Sequence, residues 1–193
     1  GNQGMTVEAG SSGHDKTKPR VVSLASEGYM VGWIDTYNDA GVQKGHLAVR
    51  RINTAGVLQS QSLVTSLDGR KNNIFMQTMI PPYTSVIFAW TEGPNEQRDI
   101  YAQRLAPDMT RIWGSTGITL SNAPGNQSGI SLASQSDGLT YFSWLSVNLP
   151  QVDGFIQKID ANGNALWGSN GRSVGTPLMI SLVSNESGGI LGA

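Results

Sequence analysis

One motif recurs along this chain at an interval of about 54 residues, and that interval limits the fold more than any other feature. Tryptophans stand in matching settings at Gly32-Trp33, Ala89-Trp90 and Ser143-Trp144, 57 and 54 residues apart. Downstream of each comes Arg50-Arg51-Ile52, then Gln103-Arg104-Leu105, then Gln157-Lys158-Ile159, at spacings of 53 and 54. Ile112-Trp113-Gly114 with Gly117 returns 54 residues on as Leu166-Trp167-Gly168 with Gly171. Val22-Ser23-Leu24-Ala25-Ser26 opens the unit and returns as Ile130-Ser131-Leu132-Ala133-Ser134 and Ile180-Ser181-Leu182-Val183-Ser184.

Each unit reads as four short strands. In the third, residues 130–134 alternate apolar and small polar, and Asp137-Gly138 supplies a turn before the β-branched and aromatic run Leu139 to Trp144. A loop over residues 145–152 leads to a third strand at 154–159, and Asn162-Gly163 favours a tight hairpin because both central residues tolerate positive φ. The fourth strand is expected to carry Trp167 and Arg172 to Val174, with Pro177 ending the ladder. No unit shows a helical stripe. A four-stranded unit of this size does not cover both its faces alone and must stack on its neighbours, and radial stacking makes a β-propeller. Trp33, Trp90, Trp144, Trp113 and Trp167 are therefore read as structural packing between blades.

Trp33-Ile34-Asp35, Asp99-Ile100-Tyr101-Ala102-Gln103-Arg104-Leu105 and the run from Ala161 to Trp167 resemble the repeats of secreted bacterial β-propellers. The resemblance covers nearly the whole chain and implies an architecture whose members bind sugars or proteins, scaffold cell surfaces or hydrolyse glycans. The chain lacks the paired signatures of WD40 and kelch repeats, and the sialidase Asp-box fails, since only Asp108 falls in register ahead of Trp113. The expected fold is all-β, with three full repeats and partial blades at both ends. Residues 1–18 are read as the last strand of a preceding or composite blade, with Gly4 to Val7 matching Gly117 to Leu120. Residues 19–70, 71–127 and 128–177 are read as three blades, and 178–193 as the first two strands of another. A closed four-bladed ring, a head-to-tail homo-oligomer and a segment of a larger propeller all satisfy this count, and the segment is preferred.

Thirteen basic and fourteen acidic residues leave a net charge of -1, which provides no basic field for nucleic acid or anionic lipid. No apolar run approaches the roughly 18 to 20 residues that cross a bilayer, so no membrane insertion is expected. No secretory signal is visible in residues 1–18. The absence of cysteine excludes disulfides and thiolate chemistry and suits an extracytoplasmic, secreted location. With only His14 and His46 as imidazoles, no metal site and no cofactor is expected. Asn126-Gln127-Ser128 and Asn185-Glu186-Ser187 are sequons that matter only in a secreted eukaryotic protein.

Loops between strands two and three, and between units, share one propeller face, where ligands meet. The candidates there are Asp35, Tyr37, Glu92, Asn95, Arg98 and Asp153, a mixed polar rim, with Tyr83 and Tyr101 adding aromatic surface. Two carboxylates such as Asp35 and Glu92 on adjacent blades suit glycoside hydrolysis. Capping the loops, or pairing with Arg98 or Lys44, accounts for them more simply, so no catalytic residue is assigned. The sequence thus points first to a non-catalytic recognition or scaffold module binding glycan or a protein surface. The alternatives are the propeller portion of a glycan-cleaving enzyme and a purely structural array of blades.

Overall fold

The computed structural model describes residues 5–8, 12–79, 84–176, 180–184 and 190–192, the last three by backbone alone. Tyr83, the sequon at Asn185 and Pro177 lie outside them. The described chain is all-β apart from one 3-10 turn at Ala25–Glu27. Three four-stranded antiparallel meanders follow one another. The first holds β1 (His14–Ser23), β2 (Tyr29–Asp39), β3 (Val42–Ile52) and β4 (Leu58–Leu63). The second holds β5 (Lys71–Thr78), β6 (Val86–Glu92), β7 (Asp99–Leu105) and β8 (Ile118–Ser121). The third holds β9 (Asn126–Ser134), β10 (Thr140–Asn148), β11 (Gln151–Ile159) and β12 (Arg172–Gly175). A hairpin of β13 (Leu182–Ser184) and β14 (Ile190–Gly192) follows, with β13 against β9 and β10.

Strand alternation explains how the sheets join. Successive side chains of a strand point to opposite faces, so a strand buried on both sides reads as continuously apolar. β6 is such a strand: Val86, Phe88 and Trp90 join Met30, Ile34, Leu47 and Val49 of the first sheet, while Ile87 and Ala89 join Ile130, Phe142 and Trp144 of the third. Two cores result, one at each junction, and the second sheet is common to both.

Polar contacts repeat with the same period. Arg51 Nη1 donates to Pro107 O at 3.4 Å across the first junction, and Arg104 Nη1 donates to Ala161 O at 3.2 Å across the second. Within the second and third sheets a fully buried glutamine folds the same connector. Gln103 Nε2 donates to Gly114 O at 2.7 Å and its Oε1 accepts from the backbone of Trp113; Gln157 does the same with Gly168 and Trp167. These bonds hold Trp113 and Trp167 in the connector ahead of the last strand, not on that strand as the sequence suggested. Gly117 and Gly171, at φ 82° and 71°, let the chain enter β8 and β12 after it. Trp113 is covered by the third sheet, its indole donating to Ala161 O at 3.2 Å, whereas Trp167 is half-buried beneath the Arg172 guanidinium.

Met5 to Glu8 form no strand, but Arg50 reaches them through Val7 O and the Glu8 carboxylate. Met5 lies over Gly56 as Ile118 lies over Gly163, which matches the alignment of these segments, although Gly4 itself is outside the described residues. Residues 14–17 pair with β2 in the first sheet, and not in a preceding or composite blade. A register shift between Thr17 and Arg20, with Lys18 at φ 54°, allows the ladder to extend that far.

Truncating Phe88 to Ala should leave a void at the first junction and cost about 3–5 kcal/mol, read as a lower urea midpoint. An unchanged midpoint would mean the junction is not a packed core.

Candidate functional site

Two loops and two strand ends bound a cleft of about 980 Å³ between the first and second sheets, with the connection into the third sheet forming one wall. Its floor is the segment joining β4 to β5. Gly45 N donates to Gly69 O at 2.9 Å and Gly93 N donates to Arg70 O at 2.9 Å, so this segment is strapped to both sheets. Asn72 Nδ2 adds bonds of 3.1 Å to Arg70 O and to Gly93 O. With its backbone groups used in this way, the loop presents its side chains from a fixed base.

Glu92 and Asp99 line the cleft as direct partners in the β6–β7 register. Partners of this kind have Cβ atoms about 4.5–5.5 Å apart. Their surroundings differ. Glu92 Oε2 accepts from Trp90 Nε1 at 3.0 Å and meets Lys71 Nζ at 3.3 Å, while the Oε1 side rests on Gly69, where any Cβ would collide with the carboxylate. The Lys71 ammonium also donates to Leu67 O at 2.8 Å; burial pushes it down, and the charge of Glu92 pulls it back up. Burial holds the Asp99 carboxyl above its ordinary range against the Tyr101 hydroxyl, which favours the ionised form, and the negative charge of Glu92 raises it further. Tyr101 stacks on Trp90 with ring centroids 5.9 Å apart, which ties this wall to the packed core.

At the rim, Tyr37 donates to Asp68 Oδ2 at 2.7 Å and lies between His14 and His46, each ring 5.1 Å away. Hydrogen bonding to Asp68 and partial burial push the Tyr37 phenol up to about 12. The same hydroxyl, with His46 and Lys44 nearby, lowers the Asp68 carboxyl. Lys44 spans Asp39 at 2.6 Å and Asp68 at 3.6 Å.

The candidates named from sequence are dispersed. Glu92 lines the cleft, and Tyr37 borders it through Asp68. Asp35 does not line it: the residue sits within β2, where His14 Nδ1 at 3.0 Å and Lys16 Nζ at 3.1 Å occupy its carboxylate. Asp35 and Glu92 therefore do not share this cleft as a carboxylate pair. Asn95 accepts from Arg98 at 2.7 Å, and Asp153 accepts from Gln151 at 2.9 Å on the third sheet. Asp35, Tyr37 and Asp153 fall on strands because β2, β3, β10 and β11 run nearly to their hairpin tips. Ala40 and Gly41, both at positive φ, close the first of these in two residues. Asp68, Gly69, Arg70 and Asp99 carry much of the cleft, with Lys71 buried behind Glu92, and the sequence does not single them out as ligand contacts. The turn pair Asp68-Gly69, flanked by charge and placed between two units, was the available signal.

Replacing Asp68 with Asn should return one tyrosine from about 12 towards 10, seen as an earlier step in an alkaline absorbance titration. A titration identical to the unaltered protein would show that Tyr37 is not held by this carboxylate.

No protein-family model and no curated protein matches the chain. Among the described residues no helix is long and apolar enough to cross a membrane. Among solved structures, the chain resembles the high-resolution structure of Penicillium chrysogenum alpha-L-arabinanase complexed with arabinobiose, with a TM-score of 0.51 and 10% identity. The match covers 91% of this chain and 58% of that one, so the chain spans less than two thirds of the arabinanase. At this identity the likeness is one of fold.

Proposed function

We propose that this chain is a segment of a secreted β-propeller that binds and cleaves glycan in the cleft between its first two sheets. The observation that carries this reading is a facing pair of carboxyl groups in unlike surroundings: Glu92 contacts the Lys71 ammonium and accepts from Trp90, and the Asp99 carboxyl is raised by burial and by the charge of Glu92. A carboxyl raised in this way beside a second carboxyl supplies a proton donor next to a nucleophile. Asp99 gives its proton to the departing glycosidic oxygen while the Glu92 carboxylate bonds to the anomeric carbon. Water deprotonated by Asp99 then releases the sugar from Glu92. Direct cross-strand partners suit the carboxyl separation of about 5–5.5 Å used for retention better than the wider spacing of inversion.

Further support comes from the size of the cleft, which accommodates a short oligosaccharide, and from the fold shared with an enzyme whose structure contains arabinobiose. In this reading the three meanders are blades, and the β13–β14 hairpin is the inner half of another. A recognition module without turnover and a purely structural array are the competing readings, and the unequal carboxyl pair favours neither.

Hydrolysis of aryl glycosides and of arabino-oligosaccharides tests the proposal. Glu92→Gln and Asp99→Asn should each lower kcat at least about 100-fold with the fold intact. Asp99 must be protonated to act as the acid, so activity falls as pH rises through its raised pKa. Tyr101→Phe removes the bond that favours its ionised form and should move that alkaline limb to higher pH. Binding without turnover in the unaltered protein would return it to the recognition reading, and failure to bind any glycan would overturn both.

A further inference from the structure

Arg70 is the one arginine among the described residues whose side chain has no partner. Arg20 bonds a carbonyl, Arg50 and Arg51 pair with Glu8 and Glu27, and Arg98 reaches Asn95. Arg104 and Arg111 cross between sheets, and Arg172 lies over Trp167. Arg70 lines the cleft, is partly buried, and has a fully covered Nε with no acceptor. A desolvated guanidinium donor left unpaired is costly, and its occurrence in a native fold calls for an explanation.

The charges around it sharpen the point. Each cleft carboxylate is already engaged: Asp68 with Tyr37 and Lys44, Glu92 with Lys71 and Trp90, Asp99 with Tyr101. None is paired with Arg70. Its backbone is fixed by Gly93 and Asn72, so the guanidinium is carried on a rigid base. Its neighbour Gly69 lies against the Glu92 carboxylate, and Arg70, Glu92 and Asp99 line the same cleft.

We infer that Arg70 is a carboxylate subsite, and that the glycan taken by the cleft carries a uronic acid at or next to the bond acted on. This rests on the glycan reading above and names its substrate class. A planar fork of N–H donors matches a carboxylate in two parallel bonds, a geometry that a lysine or a neutral amide does not reproduce. A neutral sugar would leave the guanidinium without an anionic partner.

The test is calorimetric titration of the protein with oligogalacturonides and with the same oligomers as methyl esters, which keep the shape and remove the charge. The free acid should bind about tenfold or more tightly than the ester, with the difference shrinking as salt is added. Arg70→Gln should reduce the difference to about twofold or less. Arg70→Lys should retain part of it. Equal binding of acid and ester by the unaltered protein would overturn the subsite and leave glycan binding intact, and this comparison needs no variant. A sulfated oligomer that binds more tightly than the uronide, with its advantage lost in Arg70→Gln, would overturn the carboxylate assignment. No binding of uronide, ester or neutral oligosaccharide would overturn the subsite and the glycan reading together.

Discussion

The architecture rests on β6 being buried on both of its faces. Val86, Phe88 and Trp90 complete one core, and Ile87 and Ala89 complete the next, so the second sheet is the wall shared by two hydrophobic interiors. Burial of apolar surface is the main favourable term in folding, and here neither core closes without this strand. The cleft inherits its rigidity from the same place. Trp90 is packed in the core and hydrogen-bonded to Glu92, and Tyr101 stacks on it from the neighbouring strand.

Much of the fold was legible because a repeat states its structure several times. Turn chemistry at Asp137-Gly138 and Asn162-Gly163 marks two hairpins, and the tryptophans mark the second strand of each sheet. The placing of Trp113 and Trp167 was less accessible. Apolar and aromatic residues next to a predicted strand are ordinarily read into it. Here a buried glutamine two strands' width of backbone away competes for their amides and folds the connector off the ladder. A glutamine at Gln103 and Gln157 gives no such indication by composition, since its function lies in a bond made ten residues along the chain.

The site was harder to read, for a related reason. The sequence directs attention to hairpin tips, yet several hairpins are too tight to offer a loop, and the residues assigned to them extend the strands instead. Asp35 shows the consequence: its partners His14 and Lys16 lie on β1, in a stretch that sequence alone reads as solvated. The cleft is built from the β2–β3 and β6–β7 connections together with the segments linking one sheet to the next, where the period of the repeat is weakest. Glu92 could be named from its distance to Trp90. Asp99 as its partner follows only from the β6–β7 register, and Arg70 is notable only for the contacts it does not make.

The arginine ties between sheets bear on how such a chain grows. Arg51 grips the turn of the second sheet and Arg104 that of the third by the same atom and the same kind of carbonyl. The second unit therefore carries both halves of a junction, a donor in Arg104 on one side and an acceptor turn at Pro107 on the other. Duplication of a gene segment encoding one unit would generate a compatible joint at once, without compensating changes in its neighbours. Divergence is then free to act on the linking segments, where the cleft lies.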